Sequence, residues 1–336
     1  NDFFNLCDES GIKHCDNKGI LKFIDRTVVL IEVNKQDLNL LLERYAYIGE
    51  FRPINQTAKY WTTMNSELQY KYIEDLVKRT TVNKKTNTAI CVLDTGVNNG
   101  HPLLSKIIAD NECDSVDASW GVNDSEENGG HGTGMCGLVA YGNIQKSLEN
   151  NKSIEINHAI SSIKILPKRG IENDPTSYGR VTEDGVIRSK IIHPKKDIIN
   201  CMAVTEEPQK SFNLRGNPSS WSATVDKIIS GQNENNWAAQ GEKSLFFISA
   251  GNINDGQMNY PETNICEPVQ SPGQAWNAIT VGAYTKKDEL ENYRPLAKNG
   301  GLSPFSRTSS SWVNSNWPIK PEILFEGGNK AVDENG

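Results

Sequence analysis

Residues 88–96 read Thr-Ala-Ile-Cys-Val-Leu-Asp-Thr-Gly. Residues 89–93 are an unbroken apolar run that stops at an acid, followed at once by a hydroxyl residue and a glycine. A short apolar run without alternation suits a strand buried on both faces. The acid at its carboxyl end stands where open α/β sheets place their chemistry.

Outward from this segment the pattern recurs. Residues 162–166 (SIKIL), 197–204 (DIINCMAV), 245–250 (LFFISA), 278–283 (AITVGA) and 322–325 read as further strands. Residues 133–148, 184–192 and 220–230 carry helical spacing, with Ser219 or Ser220 placed to cap the last. Strands that alternate with helices predict a three-layer α/β/α fold around a mainly parallel sheet. Ahead of it, a strand at 27–33 and a helix at 36–44 predict a small N-terminal α+β extension. A helix at 67–78 and a polar connector at 79–87 follow. The expected division is an extension or prodomain-like region over 1–80 and the main domain over 81–336.

Composition narrows the class. Of 336 residues, 37% are hydrophobic, enough for a sizeable core, and the net charge is −7. An acidic balance argues against a nucleic-acid or anionic-membrane surface. No apolar run approaches the ~20 residues that span a bilayer. The chain opens at Asn1 without a charged-then-apolar leader, and its natural N-terminus is expected to lie upstream. Seven cysteines at irregular spacing, with no CxxC pair, make a poor disulfide or zinc framework. Buried thiols in a reducing, cytoplasmic setting are the expectation.

Three polar residues stand out, each beside glycine: Asp94 before Thr95-Gly96, His131 between Gly130 and Gly132, and Asn252 after Gly251. Singly, each has an ordinary role as turn former, helix-start residue or loop amide. Together they offer an acid, an imidazole and an amide donor.

These segments resemble the subtilase family of serine proteases. Residues 89–102 (AICVLDTGVNNGHP) look like its aspartate segment, and 129–137 (GGHGTGMCG) like its histidine segment, with Cys136 where alanine is usual. Residues 246–252 (FFISAGN) look like the segment that ends in the oxyanion asparagine. Residues 275–285 (AWNAITVGAYT), 303–312 (SPFSRTSSSW) and 317–328 (WPIKPEILFEGG) resemble the stretches that follow. The resemblance implies a serine endopeptidase acting on peptide or protein substrates. Asp94 would orient His131, His131 would be the general base and acid, and Asn252 would donate to the oxyanion.

Two departures stand against the family pattern. The family's nucleophile sits in a Gly-Thr-Ser-x-Ala turn heading a helix, downstream of a segment like Lys320-Pro321-Glu322, and no such turn occurs here. The serine segment is therefore expected outside these residues, and the chain alone is expected to be inactive. Ser306, Ser309, Ser310 and Ser311 read instead as loop hydroxyls satisfied by local backbone. The second departure is at the substrate strand, where the family often has Ser-Leu-Gly. Here the substrate-binding place is Cys201, Met202, Ala203 and Val204, whose main chain could still pair with an extended peptide.

Cys136 reads as a packing thiol. His101 precedes Pro102 and is expected in a turn near the aspartate segment, whereas His14, His158 and His193 show no partner pattern and are expected at the surface. Calcium sites are frequent in the family, but the acidic loop 114–127 lacks an EF-hand pattern, so no metal or cofactor is assigned. Two other readings compete. A pseudoprotease or peptide-binding module would have no need of Asp94, His131 and Asn252 together. A nucleotide-binding domain would carry a Gly-x-Gly-x-x-Gly or Walker loop after a strand, and none is present.

Overall fold

The computed structural model describes residues 2–15, 20–22, 26–51, 61, 63–125, 130–168, 173–206, 217–232, 243–254, 259–288, 293–312 and 316–333. The chain forms two compact units, Asn1–Thr63 and Met64–Gly336.

In the first unit, helices Asp2–Glu9 and Lys35–Arg44 bury Cys7, Ile12 and Leu41. A capping box starts the second helix: Asn34 accepts from the amide of Asp37, whose carboxylate accepts from the amide of Asn34. The strand expected over 27–33 is two short antiparallel pairings, Thr27–Val28 with Leu21–Lys22 and Ile31–Glu32 with Lys13–His14. Ile31 and Val33 pack on the small core of this unit, whereas Val28 and Leu30 on the opposite face are 45% and 47% exposed.

In the second unit the sheet strands are β1 Thr88–Asp94, β2 Cys113–Ser115, β3 Ala159–Lys164, β4 Asp197–Met202, β5 Leu245–Ser249, β6 Ile279–Tyr284 and β7 Ile323–Glu326. They form one seven-stranded sheet in the order β7-β6-β5-β4-β1-β3-β2, with every pairing parallel. The unit's longer helices among the described residues are α1 Ser66–Lys78, α2 His131–Tyr141, α3 Tyr178–Ile192 and α4 Ser220–Ser230.

Alternate residues of β1 feed the two layers. Ala89, Cys91 and Leu93 pack with Val186 of α3 and Trp221, Val225 and Ile228 of α4. Val92 packs with Cys136 and Ala140 of α2 and with Leu76 of α1. Fully burying one such aliphatic side chain contributes roughly 1.5–3 kcal/mol. Because Leu76 belongs to this layer, α1 packs within the second unit, ahead of the division near residue 80 read from the sequence.

Three elements differ from their sequence expectation. The helix expected over 133–148 is split: Gly142, at φ 60°, ends α2, and Asn143 caps a short helix at Ile144–Leu148. Helix α3 begins at Tyr178, earlier than 184, because Val181 packs on the core although Gly179, Thr182 and Gly185 dilute helix propensity. Strand β2 is polar and short and carries no apolar signature.

The sheet is covered unevenly. On the α3/α4 side of β4 to β6, Ile198, Asn200, Met202, Phe246, Ile248, Thr280 and Gly282 are all buried. On the side shared with α2, their neighbours Cys201, Phe247, Ile279, Val281 and Ala283 are only half-buried, and Phe325 of β7 is 62% exposed. Strand register places these residues side by side, continuous with Val92 and Asp94.

Candidate active site

The chain runs from β1 to one side of the sheet and returns across it from β3 to β4. The carboxyl ends of β1 and β4 thus flank a topological switch point, where such sheets bind ligands. Asp94 ends β1 and is 0% exposed. Its Oδ1 accepts from His131 Nδ1 at 2.8 Å, the Thr95 amide at 2.8 Å and Thr95 Oγ1 at 3.1 Å. The contact to a carboxylate makes Nδ1 the protonated nitrogen of a neutral ring and leaves Nε2 as its basic one. Among the described residues Asp94 Oδ2 has no hydrogen-bond partner.

His131 is the first residue of α2, and its side chain is 46% exposed. The helix cannot cap itself, because Gly130 at its N-cap has no side chain. Asp124 does so from the preceding loop, its Oδ2 accepting from the amide and the hydroxyl of Thr133 at 2.8 and 3.0 Å. The Asn98 amide donates to Thr133 Oγ1, and the Gly132 amide donates to Thr95 Oγ1. Beneath this loop, Lys164 stands in register with Asp94 and donates from Nζ to the Asn123 carbonyl at 2.7 Å. Burial holds the Lys164 ammonium below its usual range, and Asp124 opposes that shift.

Asn252 follows β5, two strands from Asp94 along the same carboxyl edge. Its main chain is gripped on both sides: the N–H donates to Gln270 Oε1 at 2.8 Å, and the carbonyl accepts from Arg307 Nε at 2.7 Å. Arg307 is 1% exposed and pairs through Nη1 with Glu267 at 2.7 Å. Burial lowers the Arg307 guanidinium from its usual range, against the pull of Glu267. Gln270 also donates to the Glu206 carbonyl, tying the loop after β4 to the loop after β5. Asp124, Lys164, Gln270 and Arg307 carry no sequence signal, since each acts on a partner distant along the chain.

Of the expected substrate strand, Met202 and Val204 bury their side chains in the core under α3 and α4, while Cys201 and Ala203 are half-buried. A peptide could meet Met202 and Val204 through main chain only. Burial, with Asp94 adding to it, pushes the Cys201 thiol up to about 11. Cys136 is 0% exposed, and burial raises its thiol as well.

Ser306 is buried and accepts from the Ala283 amide, Ser309 accepts from the Lys320 amide, and Ser310 bonds Thr308. Ser311 Oγ is buried without a partner among the described residues. The surface expectation fails for His193, which is 6% exposed at the end of α3 and lies within reach of the charges of Glu112, Lys196 and Lys84. His14 bonds Asp8, and His158 bonds the Val139 carbonyl. In the acidic loop, Asp114 pairs with Arg188 and Asp117 caps a turn. Among the described residues no group of three or more His, Cys, Asp or Glu is placed to hold a metal ion.

The model of the subtilase family, Peptidase_S8, matches residues 85–335. The chain is 25% identical over 249 residues to the subtilisin-like serine protease Cla h 9.0101 of Davidiella tassiana. That match covers 68% of this chain and only 38% of the relative's length. Among solved structures, a psychrophilic protease is similar at a TM-score of 0.44 and 18% identity, over 75% of this chain and 73% of that one. The epidermin leader peptide processing serine protease of Staphylococcus aureus is similar at 0.43 and 16%, over 97% and 73%. With the family match spanning β1 through β7, the chain belongs to the subtilase family.

Proposed function

We propose that this chain carries the acid, the base and the oxyanion donor of a serine endopeptidase. The observation that carries this reading is the 2.8 Å hydrogen bond from His131 Nδ1 to a fully buried Asp94 at the switch point of the sheet. Asp94 fixes the ring tautomer and stabilises the imidazolium. His131 Nε2 takes the proton of a serine hydroxyl as that oxygen attacks the scissile carbonyl, then returns it to the leaving amine. The Asn252 amide donates to the oxygen that becomes negative.

The reaction needs a serine hydroxyl at His131 Nε2, and a helix presenting one would find apolar contacts on the half-covered face of β4 to β7. Parallel sheets are ordinarily covered on both faces. The apolar residues Phe247, Val281 and Phe325 continue that face directly from Asp94. An extended peptide would pair with the main chain of Cys201, Met202, Ala203 and Val204.

The test is labelling of the full encoded protein with a fluorophosphonate probe. One serine should label, and His131→Ala should abolish the reaction. No labelling of the natively folded protein would count against the reading. Residues 1–336 alone should neither label nor cleave peptides, since they contain no Gly-Thr-Ser turn.

A further inference from the structure

Every polar main-chain atom of Asn252 is held by a buried side chain. Its N–H reaches Gln270 at 2.8 Å, and its carbonyl receives Arg307 Nε at 2.7 Å. Gln270 and Arg307 are 3% and 1% exposed. The side of Asn252 turned to solvent carries the amide, because the residue as a whole is exposed.

A loop carbonyl at a protein surface is ordinarily satisfied by water or a neutral donor. Burying a guanidinium for that purpose is costly, and removing either member of a buried pair costs more still. Here the cost is offset locally, since Nη1 meets Glu267 at 2.7 Å and the Pro268 carbonyl at 3.1 Å. The planar fork then fixes the direction of Nε, and with it the carbonyl it holds. A lysine has one nitrogen and cannot serve both ends. The grip extends along the chain: Asn252 bridges Ser306, and the Ile253 amide donates to the Phe305 carbonyl.

We infer that Arg307 is a positioning residue for Asn252, clamping its carbonyl against the Gln270 contact on its amide so that the side-chain donor stays aimed at the developing oxyanion. This rests on the role proposed for Asn252. Donors of this kind act only when their geometry is fixed before reaction, and small displacements are expensive.

The experiment measures fluorophosphonate labelling of the full encoded protein, because the phosphonyl oxygen occupies the place of the oxyanion. The double variant Arg307→Met with Glu267→Met removes the ion pair without leaving a buried carboxylate unpaired, and Arg307→Lys is the second probe. Each is measured alone and combined with Asn252→Ala. The maximal labelling rate should fall roughly 10- to 100-fold with Arg307 replaced, while the half-saturating probe concentration moves less than about twofold.

In the Asn252→Ala background the same replacement should change the rate less than about threefold, since the group being positioned is gone. A purely structural role would give the same loss in both backgrounds, and that result overturns the inference, as does a folded variant labelled at the wild-type rate. If Asn252→Ala alone leaves the rate unchanged, or if the wild type does not label, the oxyanion reading falls and this inference with it.

Discussion

The backbones of Gly132 and Gly96 lie so close that a Cβ built on Gly132 would stand 2.2 Å from the Gly96 carbonyl oxygen. Asp94 Cβ and Thr95 Oγ1 would be next, at 3.2 and 3.1 Å. The obstacle is main chain in the turn behind Asp94, so no rotamer change relieves it. Gly132→Ala must push α2 off the end of β1 and lengthen the contact between His131 and Asp94. The expected result is a loss of about 1–3 kcal/mol in urea unfolding, as for other overpacked sites. Fluorophosphonate labelling of the full protein should drop far more than that figure implies. An alanine variant with unchanged stability and labelling would contradict the close approach.

Asp124 supplies from a loop the cap that Gly130 cannot. Asp124→Ala leaves the amide and hydroxyl of Thr133 without their acceptor. It should cost about 1–2 kcal/mol, with Asp124→Asn costing less because one oxygen remains. Hydrogen exchange at the first turn of α2 should rise in the alanine variant ahead of the rest of the sheet. Uniform acceleration across the second unit would argue against a local capping role.

His193 gives the fold a dependence on pH. Burial lowers its basicity from about 6.5, Lys196 and Lys84 lower it further, and Glu112 opposes them. Its Nε2 is buried without an acceptor among the described residues. The unfolded chain therefore takes up this proton more readily than the folded one. The His193 contribution is complete above about 6.5 and is lost as the pH falls from there toward the folded-state value. Between pH ~7.5 and ~5.5, His193→Asn should lose less of its urea stability than the wild type. Parallel losses in the two proteins would remove His193 from the account.

The thiols should separate by reactivity. Cys266 is exposed, whereas burial and the charge of Asp94 push Cys201 up to about 11. At pH ~8 only about one Cys201 in 10³ would be thiolate, the form that reacts. Brief alkylation followed by peptide mapping should find Cys266 modified and Cys201 spared. Early modification of Cys201 in the folded protein would place it in a more open setting than the half-buried end of β4.

The parts of this fold that could be read from the sequence share one property: their signal is local. The run that ends at Asp94, and those at β4, β5 and β6, are short and mostly apolar, and the single polar residues inside β4 and β6, Asn200 and Thr280, do not hide the pattern. Helix α3 was only half legible because its glycines and threonine argue against a helix, and the packing of Val181 and Val186 on the sheet overrides them. The same limit holds in the site. Asp94, His131 and Asn252 are marked by adjacent glycines. Their supports are not, because Asp124 meets Thr133 nine residues on, Lys164 reaches Asn123 from β3, and Arg307 meets Asn252 from 55 residues further along the chain. The uneven cover of the sheet is likewise invisible until register shows which apolar residues share a face.

Asp94 hangs from β1 and holds His131 of α2 by a hydrogen bond, while Asn252 hangs from β5, with β4 between the two strands. Neighbouring strands are spaced about 4.8 Å apart, so the ends of β1 and β5 stand roughly 10 Å apart, a span ruled by backbone ladders. Side-chain substitution cannot stretch or shrink that gauge. Loops suspended from the same edge can lengthen or change composition while the gauge stays constant, which leaves recognition free to vary over an unchanged track.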